Sequence, residues 1–393
     1  LKDKGDLAGA IDSFEQAVKI RPSYAKAYYN IGNCLKDKGD LVNAAENYQQ
    51  AIKAKPDYAD AYNNMGIIFR NQGRLEEAIE AYKKALTIEP KNAKMLMNLS
   101  NVKGLAVPAW HVPMINDQIR NEAYLKALKL AVSDKDLVLE IGTGSGLLAL
   151  MAADCGASQV ISCESSKSIY KVAEKIISEN GYNDRIRLIN KRSTDIQVGE
   201  DLPSKADVVV SEVLSAEFVG EGVQSTISDA NNRLKKTDGK MIPESGDIKI
   251  ALLGSSVEIN ENVFVGNING FNLSKFSSIT SDKISINLKK KPKLLCQTTN
   301  AFKLSLNDLK HRKVEEKILN LTVTRNGLCL GIIQWLKIKV FADIEYENKP
   351  GESASHWPSL IYLFQSPIEL TEGEVIKIRA SLFEDAVWFD RLE

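Results

Sequence analysis

The chain has 393 residues, 44% of them hydrophobic, enough to bury the cores of two or three domains. Its 51 basic and 51 acidic residues cancel, so no general attraction to nucleic acid or a membrane surface follows, and no direct nucleic-acid partner is expected. Five scattered cysteines without a C-x-x-C pair, three histidines and no apolar run of about 18 residues argue against a disulfide frame, a histidine-rich metal site and a membrane span, and point to a cytoplasmic or nuclear protein.

Residues 1 to 92 repeat every 34 positions: Gly5, Gly39 and Gly73; Phe14, Tyr48 and Tyr82; Ala17, Ala51 and Ala85; Pro22, Pro56 and Pro90. This resembles the tetratricopeptide repeat (TPR), a helix-turn-helix unit whose small residues let paired helices pack closely. A further helix begins at Ala93, in phase with Ala25 and Ala59, so an all-α TPR superhelix is expected over residues 1–103. Asn30, Asn64 and Asn98 also recur in phase. In superhelical TPR arrays an asparagine at this position lines the concave groove, where its amide pairs with the backbone of an extended peptide. The other reading is that asparagine merely tolerates a half-exposed helix position. The groove is the candidate site for a peptide ligand. No signal peptide opens the chain, and Leu1 falls in mid-repeat, so residues ahead of it are expected.

Gly104, Pro108 and Pro113 mark a hinge over residues 104–113, and a helix follows from about Asn116 to Val132. Strands are predicted at Leu137–Ile141, Val160–Cys163, Ile186–Ile189 and Ala206–Ser211, alternating with helices as in a doubly wound α/β sheet. Residues 104–242 therefore form a Rossmann-like domain. Beyond Ile242-Pro243, alternating segments such as Ile248–Leu252 and Ile338–Ala342 predict an antiparallel β-barrel domain over residues 243–393.

The first strand runs into Glu140-Ile141-Gly142-Thr143-Gly144-Ser145-Gly146, and a helix starts near Leu147. Glycine allows a tight turn and a close ligand approach. The second strand ends at Glu164, followed by Ser165, where a carboxylate can accept hydrogen bonds from both hydroxyls of a ribose. A dinucleotide fingerprint would need glycine at position 147, which is Leu147. The E-x-G-x-G-x-G spacing resembles S-adenosylmethionine methyltransferases, in which this turn holds the amino-acid end of the cofactor. The resemblance makes Glu140, Gly142, Gly144, Gly146, Glu164 and Ser165 cofactor-binding candidates.

The fourth strand ends in Ser211-Glu212, with Glu221 nine residues on. Ligands bind at the carboxyl ends of strands in such sheets, so this loop should face the cofactor. Glu212 and Glu221 could form a claw for guanidinium, whose fork of N–H donors meets carboxylates in bidentate fashion. Glu217, between them, reads as a solvated loop residue.

Here the chain resembles the protein arginine methyltransferases, whose double-glutamate loop has this arrangement. The likeness extends over about residues 108 to 393. His111 to Arg120 is similar to the family's first cofactor-contacting segment, which implies contacts from His111 and Met114 and a hold on the cofactor carboxylate by Arg120. Ser193 and Thr194 lie where the family contacts adenine. Ser355-His356-Trp357 is similar to the threonine-histidine-tryptophan loop that closes the substrate pocket, which makes His356 a catalytic candidate and Trp357 a substrate-binding one. The aromatic Y-F-x-x-Y lid of many relatives is absent before His111, and Trp110 stands in part of its place.

TPR units ahead of the core point to the branch that carries TPRs and two cores, but this chain has a single methyltransferase core. Residues 263–278 lie where the family has its dimerisation arm, so a homodimer is expected. The resemblance implies methyl transfer from S-adenosylmethionine to an arginine guanidinium in a protein or peptide substrate, with the TPRs recruiting substrate or partner. The alternatives are a TPR scaffold with a weak or inactive core, and a methyltransferase for another substrate. His311 and the cluster Lys289-Lys290-Lys291 with Lys293 read as exposed.

Overall fold

The computed structural model describes residues 6–220, 222–288, 290–309, 314–351 and 355–392. They form two compact units that divide between Ala109 and Trp110.

The first unit contains six helices: α1 (Leu7–Ile20), α2 (Ala25–Asp37), α3 (Leu41–Ala54), α4 (Ala59–Asn71), α5 (Leu75–Ile88) and α6 (Ala93–Ala106). Asp6 and Asp40 cap α1 and α3, accepting from Gly9 N and Asn43 N. The 34-residue period has a steric cause. A Cβ on Gly32 would lie 2.6 Å from the Tyr48 ring, and one on Gly66 equally close to the Tyr82 ring. Glycine thus lets each pair of helices close over a buried tyrosine. Gly104 and Leu105 lie within α6, so the break expected at Gly104 falls three residues later, at Val107.

In the second unit, α7 (His111–Ile115) and α8 (Gln118–Ala131) precede a parallel sheet interleaved with α9 (Leu147–Asp154), α10 (Lys167–Glu179) and α11 (Val223–Asp229). Its strands are β1 (Leu137–Ile141), β2 (Gln159–Cys163), β3 (Ile186–Ile189), β4 (Ala206–Ser211) and β5 (Lys235–Ile242), in the order β3-β2-β1-β4-β5. The order reverses beside β1, so the carboxyl ends of β1 and β4 open a crevice between them.

The chain continues as β6 (Ser245–Gly254), α12 (Val257–Val263), the hairpin β7 (Asn267–Ile268) and β8 (Phe271–Asn272), then β9 (Lys283–Ile286) and β10 (Thr299–Ser305). It ends with β11 (Val314–Thr322), β12 (Gly327–Phe341), β13 (Ile344–Glu347), β14 (Ser359–Leu370), β15 (Val375–Phe383) and β16 (Val387–Arg391). These pair antiparallel, in a six-stranded sheet β10-β6-β12-β14-β9 with β13 on β12, and a three-stranded sheet β11-β15-β16. The architecture is thus a TPR helical unit, a Rossmann-like parallel sheet and an antiparallel β domain. One apolar core runs from α8 through the parallel, six-stranded and three-stranded sheets.

Candidate active site

At the carboxyl edge of the parallel sheet the chain turns through Gly142, Gly144 and Gly146 with φ of +82°, +53° and +83°, conformations that side chains with a Cβ rarely adopt. The turn opens onto a cavity of about 530 Å³. His111 and Met114 line it, with Gly142, Gly144, Glu164, Ser165, Ser193, Thr194 and Glu212. Trp110, stacked on His111 with ring centroids 3.9 Å apart, borders it too. Glu164 is held in place by its own neighbours: Oε1 accepts from Ser166 N at 2.8 Å and Oε2 from Gly144 N at 3.2 Å.

Three candidates lie off this wall. Gly146 caps α9, and a Cβ there would meet Ile177. Glu140 is buried behind the turn, where Oε2 accepts from Ser162 Oγ at 2.5 Å and Oε1 has no partner among the described residues. Burial pushes its carboxyl up to about 8, against the opposing pull of the Ser162 hydrogen bond and the Arg120 charge. Arg120 pairs instead with Glu212; the two side chains are only 4% and 3% exposed. Its guanidinium also donates to Asn121 Oδ1 and lies 4.9 Å from the Tyr124 ring centroid.

Sequence reading missed Asp117, which caps α8 by accepting from Arg120 N at 3.0 Å. Its second oxygen accepts from His356 N at 3.0 Å and meets His356 Nδ1 at 2.9 Å. Burial works to raise the Asp117 carboxyl, but the hydrogen bonds from His356 and the Arg120 backbone outweigh it, and its pKa lies below the ordinary value. His356 turns Nε2 toward Glu212 Oε1, 3.9 Å away. The imidazole thus stands between two carboxylates. An aspartate in the first turn of the predicted helix was the available cap signal.

Trp357 is buried, stacked on Tyr346 at 5.7 Å between centroids. Asn348 clamps the loop by donating to Trp357 O at 3.3 Å while accepting from Leu336 N at 2.6 Å.

The loop after β4 is anchored at Phe218, fully buried with φ +71°, whose ring fills the space a Cβ on Gly246 would need. Glu217 corrects the solvated-loop expectation. It accepts from Val387 N at 2.8 Å and pairs with Lys283 at 2.5 Å, so it ties the loop to the antiparallel domain. Glu221 and His311 lie outside the described residues, as does Lys289.

In the first unit, Asn64 and Asn98 are buried and Asn30 half-buried. Asn64 Nδ2 lies 2.9 Å from Asn33 Oδ1, and Asn98 Nδ2 lies 2.9 Å from Asn63 Oδ1. These two amides therefore face neighbouring helices, where the groove reading had them meeting a peptide. Each amide has donors to spare, and that of Asn64 also reaches Tyr48 OH at 3.3 Å.

Comparison with known proteins agrees with this geometry. Tetratricopeptide repeat models match residues 1–39, 32–71 and 59–92, and a ribosomal protein L11 methyltransferase model matches residues 122–249. An arginine N(omega)-methyltransferase of Streptomyces achromogenes subsp. streptozoticus is 32% identical over 278 residues, covering 70% of this chain and 76% of that protein. The chain belongs to the protein arginine methyltransferase family. Within this family, protein arginine N-methyltransferase 7 of Drosophila grimshawi is 29% identical over 321 residues. The match spans 70% of this chain but 46% of that protein, so the chain corresponds to just under half the length of this relative. Among solved structures, the Trypanosoma brucei PRMT1 enzyme-prozyme heterotetrameric complex with AdoHcy superposes with a TM-score of 0.62 at 18% identity, over 74% of this chain and all of that one. Arabidopsis thaliana protein arginine methyltransferase 10 superposes with a TM-score of 0.58, also at 18% identity, over 71% of this chain and 95% of that one. These two show the arginine methyltransferase fold.

Proposed function

We propose that the chain transfers a methyl group from S-adenosylmethionine to a guanidinium nitrogen of arginine in a protein or peptide substrate. The observation that carries this reading is Glu212, a carboxylate at the carboxyl end of β4 that borders the nucleoside-sized cavity and is approached by His356 Nε2. The cavity suits the cofactor: a carboxylate stands at the end of β2 for a ribose, and nothing lies within 4 Å of a Cβ position on Gly144, which leaves room beside the turn.

When bound, the cofactor supplies an electrophilic methyl group on a sulfonium. Glu164 would hold the ribose, His111 and Met114 would flank the cofactor, and Ser193 and Thr194 would meet its base. Arg120, off the cavity wall and paired with Glu212, would have to turn toward the cofactor carboxylate to bind it, and would then link cofactor and acceptor sites. Glu212, with Glu221 as the expected second carboxylate, would grip the guanidinium and draw its positive charge toward the nitrogens beside the carboxylates, leaving the lone pair of the remaining nitrogen available for in-line attack. Asp117 fixes the His356 tautomer with a proton on Nδ1, so Nε2 can take up the proton released from the guanidinium. Trp357 backs this loop.

The TPR unit recruits substrate or partner. The proposed homodimer forms through residues 263–278, where Phe271 is 71% exposed and Ile268, Leu273 and Phe276 are exposed beside it. The five cysteines are free, in keeping with a reducing intracellular compartment.

The test is to incubate the full chain with methyl-labelled S-adenosylmethionine and either an arginine-rich protein or free arginine, which the name of the Streptomyces relative gives without the word protein. Mass spectrometry then locates the label. Methylarginine in the protein supports the reading. Label on free arginine alone changes the acceptor, and label on another side chain overturns it.

A further inference from the structure

Residues 329–336 of β12 are all buried and read Cys-Leu-Gly-Ile-Ile-Gln-Trp-Leu, so Gln334 places an amide inside an apolar run. The strand is paired on both sides there. Gln334 lies opposite Ile250 of β6 and Leu360 of β14, which leaves its backbone no freedom to shift. A buried amide is costly unless both of its ends find partners, and here both do. Nε2 donates to Ala216 O at 2.9 Å, and Oε1 accepts from Tyr362 OH at 2.8 Å. The carbonyl of Ala216 can only accept, which fixes the way the amide turns and makes the tyrosine hydroxyl the donor.

Ala216 lies between Glu212 and Glu221 in the chain, at the base of the loop that carries both. This base is closed on itself: Ser215 Oγ accepts from Glu217 N at 3.2 Å and from Gly220 N at 3.0 Å, and a Cβ on Gly220 would lie 2.5 Å from that oxygen. Residues 215–220 therefore move together. Past the loop, buried Gln224 donates to Phe383 O at 2.9 Å and to Glu384 O at 3.0 Å. On the other side of Gln334, the Tyr362 ring is held edge-on by Trp388 and Phe389, with centroids 5.6 and 5.0 Å away. The acceptor loop thus rests on one amide from β12, and that amide is oriented by a hydroxyl from β14.

We propose that Gln334 and Tyr362 are positioning residues for methyl transfer: they fix the base of the loop between Glu212 and Glu221 and so set where the guanidinium lies relative to the methyl donor. The proposal rests on the arginine reading above. Neither side chain borders the cofactor cavity, so their loss acts on turnover and leaves cofactor binding alone. Small displacements of a bound acceptor are enough for a large effect, because in-line transfer needs the attacking nitrogen within a narrow range of distance and angle.

The test compares the full chain with Gln334→Met, which keeps the bulk of the side chain and loses the amide, with Tyr362→Phe, and with the double variant. Methylation of an arginine peptide gives kcat and KM, calorimetry gives the S-adenosylmethionine Kd, and mass spectrometry follows amide exchange over residues 212–220. We expect kcat to fall about tenfold in Gln334→Met and about threefold in Tyr362→Phe, with an unchanged cofactor Kd and faster exchange in the loop. Because the hydroxyl acts through the amide, the double variant should be no slower than Gln334→Met. Parental kcat and loop protection in both single variants overturn the proposal. Losses that multiply in the double variant also overturn it, since they mark two independent packing defects. Should Gln334→Met fail to fold, Tyr362→Phe decides: slower turnover with faster loop exchange supports the proposal, and parental behaviour overturns it. If the parent chain methylates no arginine while loop exchange still rises in both variants at unchanged Kd, the loop anchor stands and the acceptor assignment fails.

Discussion

Asp117 and His356 are separated by 239 positions in the chain, yet Asp117 Oδ2 lies 2.9 Å from His356 Nδ1. The same carboxylate caps α8, so the start of the first long helix of the unit and the loop from the antiparallel domain share one anchor. Orientation of His356 beside Glu212 follows from helix capping.

Replacing Asp117 with asparagine keeps a capping oxygen but removes the charge facing the imidazole. We expect kcat to fall at least tenfold while stability falls by about 1 kcal/mol or less at neutral pH. Because the folded-state pKa of Asp117 is depressed, its contribution is present above the unfolded value near 3.9 and is lost as pH falls through the folded value. Thermal unfolding from pH 3 to 7 should therefore show a shallower acid decline in Asp117→Asn. An identical acid limb would remove the assigned role.

Glu140 has the opposite sign. Its folded pKa is raised to about 8 from an ordinary value of 4.5, so the folded state binds more protons than the unfolded one between those values. Stability from this group is full below the unfolded value and declines as pH rises toward 8. Glu140→Gln should match the parent at pH 4 and exceed its Tm by roughly 5 °C at pH 8.5. Equal melting curves at both pH values contradict the burial argument.

The TPR tyrosines make a matched pair. Tyr48 OH donates to Asn33 Oδ1 at 2.8 Å, but 34 residues on Ile67 replaces that asparagine, and Tyr82 OH is buried without a partner among the described residues. Tyr48→Phe should cost about 1–2 kcal/mol, whereas Tyr82→Phe should be neutral or stabilising. Denaturant titration of the two variants gives the comparison, and equal losses refute it.

Gly246→Ala would press a methyl group to 2.1 Å from the Phe218 ring. The clash should cost about 1–3 kcal/mol and displace the loop that holds Glu212, so activity should fall further than cofactor affinity. Retained kcat in a folded Gly246→Ala enzyme shows that Phe218 does not position the loop.

The local parts of this fold were legible in the sequence. The 34-residue period marks the helix pairs because Gly32 and Gly66 must clear Tyr48 and Tyr82, and β1, β3 and β4 have the predicted bounds because each is a short, mostly apolar run. The glycine turn and Glu164 were readable for the same reason. Contacts across long separations were not. Nothing near Asp117 signals that His356 will return to it, nothing near Glu217 signals Val387 or Lys283, and the pairing of Arg120 with Glu212 joins α8 to a strand end 92 positions later. Asn64 and Asn98 matched a groove position by phase alone, and phase does not say which way an amide turns.

The most direct test of the guanidinium claw is the rate of arginine-peptide methylation by Glu212→Gln beside the parent chain, with cofactor affinity measured on both. Loss of one charge-localising carboxylate should lower kcat by about 10²–10³-fold while cofactor Kd changes little. A Glu212→Gln enzyme that methylates arginine at the parental rate contradicts the account.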